Sequence, residues 1–279
     1  MSMRAVIVAG LAALLLAAAG GGAWWELAPG PDVADAADAE APLPIPPVPP
    51  RIAQGGEYED CLAMLPRDPE GAQALAETWQ SAGGGDAAEH CLGLARVQLG
   101  DPEDGATLLE NVGATSRSPA AARAEIYGQA AQAWLMANNP SRSYAAATLA
   151  LALSSDDPDL LIDRAIAAGA LQRWQDAADD LSHALESDPH RPDALVLRGS
   201  AWRHLGKLDL AEADIDEALK MDPENADGLL ERGILRQRRN DLEGARADWE
   251  KVIAVAPDSP SADLAQQNLA LLEAGPERR

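Results

Sequence analysis

Residues 158–259 decide the fold. Cut into three equal segments they read PDLLIDRAIAAGALQRWQDAADDLSHALESDPHR (158–191), PDALVLRGSAWRHLGKLDLAEADIDEALKMDPEN (192–225) and ADGLLERGILRQRRNDLEGARADWEKVIAVAPDS (226–259), with no gap. A small residue recurs at Ala165, Gly199 and Gly233, each directly after an arginine: Arg164, Arg198, Arg232. A second small residue recurs at Ala177, Ala211 and Ala245, followed by a bulky apolar one at Leu181, Ile215 and Trp249, and then by Ala184, Ala218 and Val252. Pro189, Pro223 and Pro257 close the units, where a proline cannot continue a helix and so starts a turn. Self-similarity at a period of about 34 residues marks a stacked supersecondary unit. Small residues in both halves let two helices approach closely.

These positions resemble the tetratricopeptide repeat (TPR) family. The resemblance implies an all-α fold, a right-handed superhelical solenoid of helix–turn–helix repeats. Two departures stand out. Arg164, Arg198 and Arg232 occupy a place the common pattern gives to leucine, and the turn glycine Gly206 is replaced by Gln172 and Asn240 in the flanking units. An aspartate follows each arginine at the same interval: Asp180, Asp214 and Asp248. That spacing carries the chain from the first helix round the turn onto the facing side of the second. Each Arg–Asp pair is expected to brace its unit, and three equivalent copies favour structure over catalysis.

Working outward, the repeat decays but continues upstream. Tyr127, Ala130, Ala131 and Trp134, the turn Asn138–Pro140, then Ala147, Ala150 and Leu151 trace a further unit. Asp86–Leu99 with Pro102–Val112, and Glu57–Leu65 with Pro69–Ser81, read as earlier helical pairs, and Ser261–Ala274 as one amphipathic closing helix that covers the last apolar face. The expected organisation is a signal segment over 1–25, an acidic, Pro-rich linker over 26–54, divergent helical repeats over 55–157, three TPR-like repeats over 158–259, and a closing helix and tail over 260–279.

Composition agrees with helix packing. Of 279 residues, 47% are hydrophobic but only 4% aromatic, with no Phe, which does not suit a β-sandwich or barrel. The net charge is −23, so phosphate-backbone binding and docking on anionic lipid headgroups are disfavoured, and no nucleic-acid partner is expected. The run from Ala5 to Trp25 carries no charge and would be about 31 Å long as a helix, close to a bilayer's hydrocarbon thickness. This stretch reads either as an uncleaved anchor with Trp24 and Trp25 at the far interface, or as a cleaved signal peptide ending in small residues. Arg4 precedes it, and no Lys or Arg follows until Arg51, so the body of the chain is expected on the exported side: the periplasmic face of the inner membrane if anchored, the soluble periplasm if cleaved. Pro42–Pro50 is expected to be extended polyproline II, a spacer.

No phosphate-binding loop, His-Glu-x-x-His or Gly-x-Ser-x-Gly motif occurs, and no metal site, catalytic residue or cofactor is assigned. Cys61 and Cys91 are the only cysteines; in an oxidising compartment a lone pair is bridged, the alternative being two buried thiols. Function is expected on the face lined by the first helix of each unit, the inner groove of the family. Helical spacing places Asp159, Ile162 and Ile166 there, then Asp193, Val196, Ser200 and Arg203, then Asp227, Leu230, Ile234, Gln237 and Arg238. Ile162, Val196 and Leu230 are expected to form an apolar column flanked by Arg203 and Arg238, suited to an amphipathic helix or an extended peptide, the alternative being that these aliphatics are consumed by packing between units. The family's carboxylate-clamping version uses Lys and Asn in this groove; aliphatic residues and Ser stand there instead. The reading is a non-enzymatic protein-binding scaffold of the cell envelope. An apoprotein chaperone of the cytochrome-maturation type is the alternative, and an envelope hydrolase with a carboxylate site in residues 57–123 a third. The sequence leaves the oligomeric state open.

Overall fold

The computed structural model describes residues 51–274; the expected membrane span and most of the linker lie outside them. The described residues form thirteen helices and no strand: α1 Gly56–Met64, α2 Pro69–Ser81, α3 Gly85–Gln98, α4 Pro102–Thr115, α5 Ala120–Met136, α6 Pro140–Leu151, α7 Pro158–Ala170, α8 Trp174–Ser187, α9 Pro192–His204, α10 Leu208–Met221, α11 Ala226–Arg238, α12 Leu242–Val255 and α13 Pro260–Ala274. Among the described residues no helix is long and apolar enough to cross a membrane.

Local chemistry explains the boundaries. Proline opens α2, α4, α6, α7, α9 and α13, where its missing N–H has no intrahelical partner to lose. Side chains cap several N-termini: Asp68 accepts from Gly71 N, Asn139 from Arg142 N, Asp157 from Asp159 N and Leu160 N, Asn225 from Gly228 N, and Asp241 from Gly244 N. Between the two helices of a unit one residue takes the left-handed conformation. It is Gly100, Asn138, Gln172, Gly206 and Asn240 in successive units, with φ of 91°, 56°, 59°, 76° and 66°. Glycine is the least strained choice there, and a long side chain such as Gln172 carries a penalty.

The odd-numbered helices are the first helices of the units and touch one another in a row; the even-numbered ones pack behind them. The small residues set the spacing within a unit. A Cβ on Gly199 would lie 2.8 Å from the Ile215 side chain, and one on Gly233 2.3 Å from Trp249 Nε1. Helix α9 therefore presses against α10, and α11 against α12, more closely than any larger residue permits. Trp249 is fully buried and donates its Nε1–H to the Leu230 carbonyl at 3.4 Å.

The core runs along the whole array. One large cluster spans α5 to α13 and includes Leu161, Leu181, Ile215, Leu229, Trp249 and Val252. A second centres on Leu109, Ile126 and Trp134, and a third, around Cys61, Ala72, Ala76 and Cys91, closes the first units. Cys61 and Cys91 are bonded, with Cα atoms 6.4 Å apart, and tie α1 to α3. Both are fully buried. Residues 51–54, the end of the expected linker, are held against the array. Ile52 packs on the second cluster, its carbonyl accepts from Ser118 Oγ at 3.1 Å, and Arg51 pairs with Glu59 at 3.2 Å.

Candidate functional site

The face of the first helices turned away from the second helices is the inner face. Within each unit the residue before the small one reaches the other way, round the turn. Arg164 donates Nε and Nη2 to Asp180 at 2.8 and 2.7 Å, Arg198 to Asp214 at 2.8 and 2.7 Å, and Arg232 to Asp248 at 3.0 and 2.8 Å. The three aspartates are buried and the arginines about a quarter exposed at most. Asp248 also takes Arg236 Nη1 at 2.7 Å. These six residues join first to second helix and do not face the groove.

The expected apolar column is corrected by the structure. Ile162, Val196 and Leu230 are each only 6% exposed. They are wedged where neighbouring first helices meet, because an aliphatic side chain one turn into the helix is the part that fills the gap between units. They form the floor of the face and leave almost no surface for a ligand. Arg203 is corrected too: it does not flank an open strip but is buried. It donates Nε to Glu231 Oε2 at 2.6 Å and Nη2 to Oε1 at 3.0 Å, while Ser200 Oγ donates to the same carboxylate at 2.8 Å. The remaining expected residues keep surface: Ile166 is 37% exposed, Ser200, Ile234 and Gln237 are half-buried, and Arg238 is exposed at the rim.

The accessible rows are mostly polar. One holds Glu125, Asp159, Asp193 and Asp227, each one repeat after the last. The next holds Gln129, Leu197 and Glu231, half-buried, with Asp163 buried at its place in the row, and the third Gln132, Ile166, Ser200 and Ile234. Hydrogen bonds cross between neighbouring first helices along these rows. Tyr58 hydroxyl meets His90 Nδ1 at 2.8 Å, His90 Nε2 meets Gln129 Oε1 at 2.7 Å, and Gln132 Nε2 donates to Asp163 Oδ2 at 3.0 Å. Arg191 joins Asp159 and Asp193, at 2.8 Å to each. At the far edge His204 stacks flat on Trp174, ring centroids 3.8 Å apart.

Burial shapes the titration of this face. Desolvation pushes the Tyr58 hydroxyl up to about 12 and holds His90 below its ordinary value, so His90 is neutral and fits donation from Nε2 and acceptance at Nδ1. Desolvation also lowers His204, helped by the charge of Arg203. Asp163 is pushed up to about 7, first by desolvation and then by Asp159, Glu125 and Asp157, against the opposing hydrogen bond from Gln132. Glu125 is raised for the same first reason. Among the described residues no group of three or more His, Cys, Asp or Glu side chains is placed to hold a metal ion.

Sequence reasoning missed Gln129, Gln132, Asp163, Leu197 and Glu231. Their signal was present: Asp163 and Glu231 are acids at one repeat position, two units apart, directly after Ile162 and Leu230 of the apolar column.

Comparison with known proteins places the fold. A family profile for the tetratricopeptide repeat matches residues 162–226. The chain is similar to the solved structure of PilF from Pseudomonas aeruginosa, at 14% identity over 77% of this chain and 96% of that one, with a TM-score of 0.60. It is similar to YrrB, described as a TPR protein with an unusual peptide-binding site, at 17% identity over 70% of this chain and 96% of that one, with a TM-score of 0.52. MamA aligns at 14% identity over 59% of this chain and 94% of that one, with a TM-score of 0.51. At these identities the likeness is one of fold. No curated protein matches the chain in sequence. The array is an all-α helical-repeat solenoid of the tetratricopeptide kind.

Proposed function

We infer that this tetratricopeptide-repeat array is a non-enzymatic scaffold that holds a segment of another protein along the inner face of its first helices, on the exported side of a membrane. The observation that carries the binding reading is the inner face itself. Seven first helices among the described residues stand in a row, and Ile166, Leu197, Ile234 and Arg238 keep surface among the polar rows. A face with scattered apolar anchors and oriented polar groups suits an extended or helical segment better than a small substrate, which needs a concave pocket. That YrrB is described as having a peptide-binding site supports the same reading.

The exported location has separate support. The charge-free run from Ala5 to Trp25 with Arg4 before it gives the direction, and the buried Cys61–Cys91 bond suits an oxidising compartment. A reporter active only after export, fused after Arg279, should be active; activity solely from a cytoplasmic reporter overturns the location.

The binding reading is tested by placing a photo-crosslinking residue at Ile234 on the inner face or at Glu217 on the outer side of α10, then crosslinking in cells. The same discrete adduct from Ile234 and from Ile166, and none from Glu217, is the expected result. Equal adducts from both sides, or none from the inner face, refute it.

A further inference from the structure

We propose that the inner face between α5 and α7 receives a cationic side chain, lysine or arginine, of the bound segment, with Asp163 as its acceptor; this rests on the inner face being the binding face. Equivalent places in the array differ in charge. Asp163 and Glu231 occupy the same repeat position, and both carboxylates face the preceding first helix. Glu231 is neutralised by Arg203 of that preceding helix. The place equivalent to Arg203, counted back from Asp163, is held by Leu135, so that cation is missing. A second cation is missing as well. Arg191 ties the acidic row together at Asp159 and Asp193, but its equivalent one repeat earlier is Asp157, an acid. At α5–α7 the acceptors persist while both donors have been replaced, one by an apolar residue and one by a like charge.

Asp163 is nine-tenths buried, and the Gln132 amide is its hydrogen-bond partner, at 3.0 and 3.4 Å to the two oxygens. An amide brings no charge to a buried carboxylate. Gly128 stands at the floor position held by Ile162, Val196 and Leu230 in later units, and a Leu160 methyl fills its place: a Cβ added there would lie 2.7 Å from that methyl and 3.9 Å from Asp163 Oδ2. The Gln132 side chain over the carboxylate is exposed, so the acid is reached by displacing an amide. The place therefore combines an apolar wall at Leu160 with an acid beside it. A side chain with an alkyl stem and a cationic tip matches both. A metal ion does not, since no three ligating side chains converge among the described residues.

The test is a selection of random dodecapeptides displayed on phage, run on the detergent-solubilised full chain and on its Asp163→Asn variant. Peptides recovered on the unaltered chain should share a lysine or arginine at one position, and those recovered on the variant should not. A recovered peptide made with norleucine or citrulline at that position should bind the unaltered chain about tenfold more weakly and the variant unchanged. A common basic position that survives Asp163→Asn, or recovered peptides without one, overturns the inference and leaves the binding face standing. Failure to recover any peptide on either protein overturns both. Asp163→Asn should also melt higher than the unaltered chain at pH 7.5; a lower melting temperature makes Asp163 a structural residue and refutes its role as an acceptor.

Discussion

Truncating Arg198 isolates the brace between the helices of the middle repeat. Arg198 and Asp214 share two charge-assisted hydrogen bonds of 2.8 and 2.7 Å, with the aspartate side chain 11% and the arginine 22% exposed. Arg198→Ala leaves a buried carboxylate without its cation, which costs about 3–5 kcal/mol when no water reaches it. The partial exposure of Arg198 opens a path for water once the side chain is gone, so about 2–3 kcal/mol is expected. Asp214→Asn should cost less, about 1–2 kcal/mol, because the partly exposed guanidinium can hydrate. The double variant should cost clearly less than the two single effects combined, with a coupling of about 1–2 kcal/mol. Urea unfolding followed by far-UV circular dichroism measures these differences, and hydrogen exchange of α9 and α10 amides locates them, since a repeat array need not unfold as one unit. A built-in comparison sharpens the test. Asp248 keeps Arg236 at 2.7 Å when Arg232 is removed, so Arg232→Ala should cost less than Arg198→Ala. Breaking the exposed Lys220–Glu217 pair should leave the urea midpoint unchanged. Strict additivity of Arg198→Ala and Asp214→Asn, or equal costs at Arg198 and Arg232, refutes the reasoning.

Three further outcomes follow from single side chains. Asp163 titrates near 7 in the fold against 3.8 as a free side chain, with Glu125, Asp157 and Asp159 facing it as charges and Gln132 as its donor. The folded chain therefore holds a proton that the unfolded chain has lost, and stability should fall as pH rises from about 4 to about 7 by at most about 4 kcal/mol, then level off; chemical denaturation at several pH values should show this slope, and Asp163→Asn should reduce it to the smaller contribution of Glu125. Ser143 is fully buried on α6 with an unpartnered hydroxyl, at the place where Ala177, Ala211 and Ala245 stand in later units, so Ser143→Ala should raise the urea midpoint by the equivalent of about 1 kcal/mol, and a decrease refutes the assignment. Gln172 sits at φ 59° between α7 and α8, and Gln172→Gly should stabilise by about 0.5–1 kcal/mol in the same assay, whereas Gly206→Gln should destabilise by a similar amount.

The architecture was legible because repeats state their rules several times. Ala165, Gly199 and Gly233 recur once per unit, so a chance pattern is excluded and both helices of the unit are implied. The constant Arg–Asp spacing was readable for the same reason: a turn of fixed length sets which residues of the two helices face each other. The divergent helices before Ala120 were traceable from their prolines and turn residues, since capping and left-handed turn positions are local.

The binding face was less legible, because which side of a first helix meets its neighbour depends on how successive units stack. Ile162, Val196 and Leu230 recur as a column in the sequence whether they meet a ligand or the next helix; only stacking put them at 6% exposure and moved the surface to the rows holding Gln129, Gln132 and Ser200. Charge shows the same division. The sequence alone determined that Arg191, Arg203, Asp163 and Glu231 exist and at what spacing. Tertiary structure decided that Arg203 is spent on Glu231 while Asp163 keeps only an amide, because the pairing runs between helices of different units, a distance no periodicity within one helix encodes.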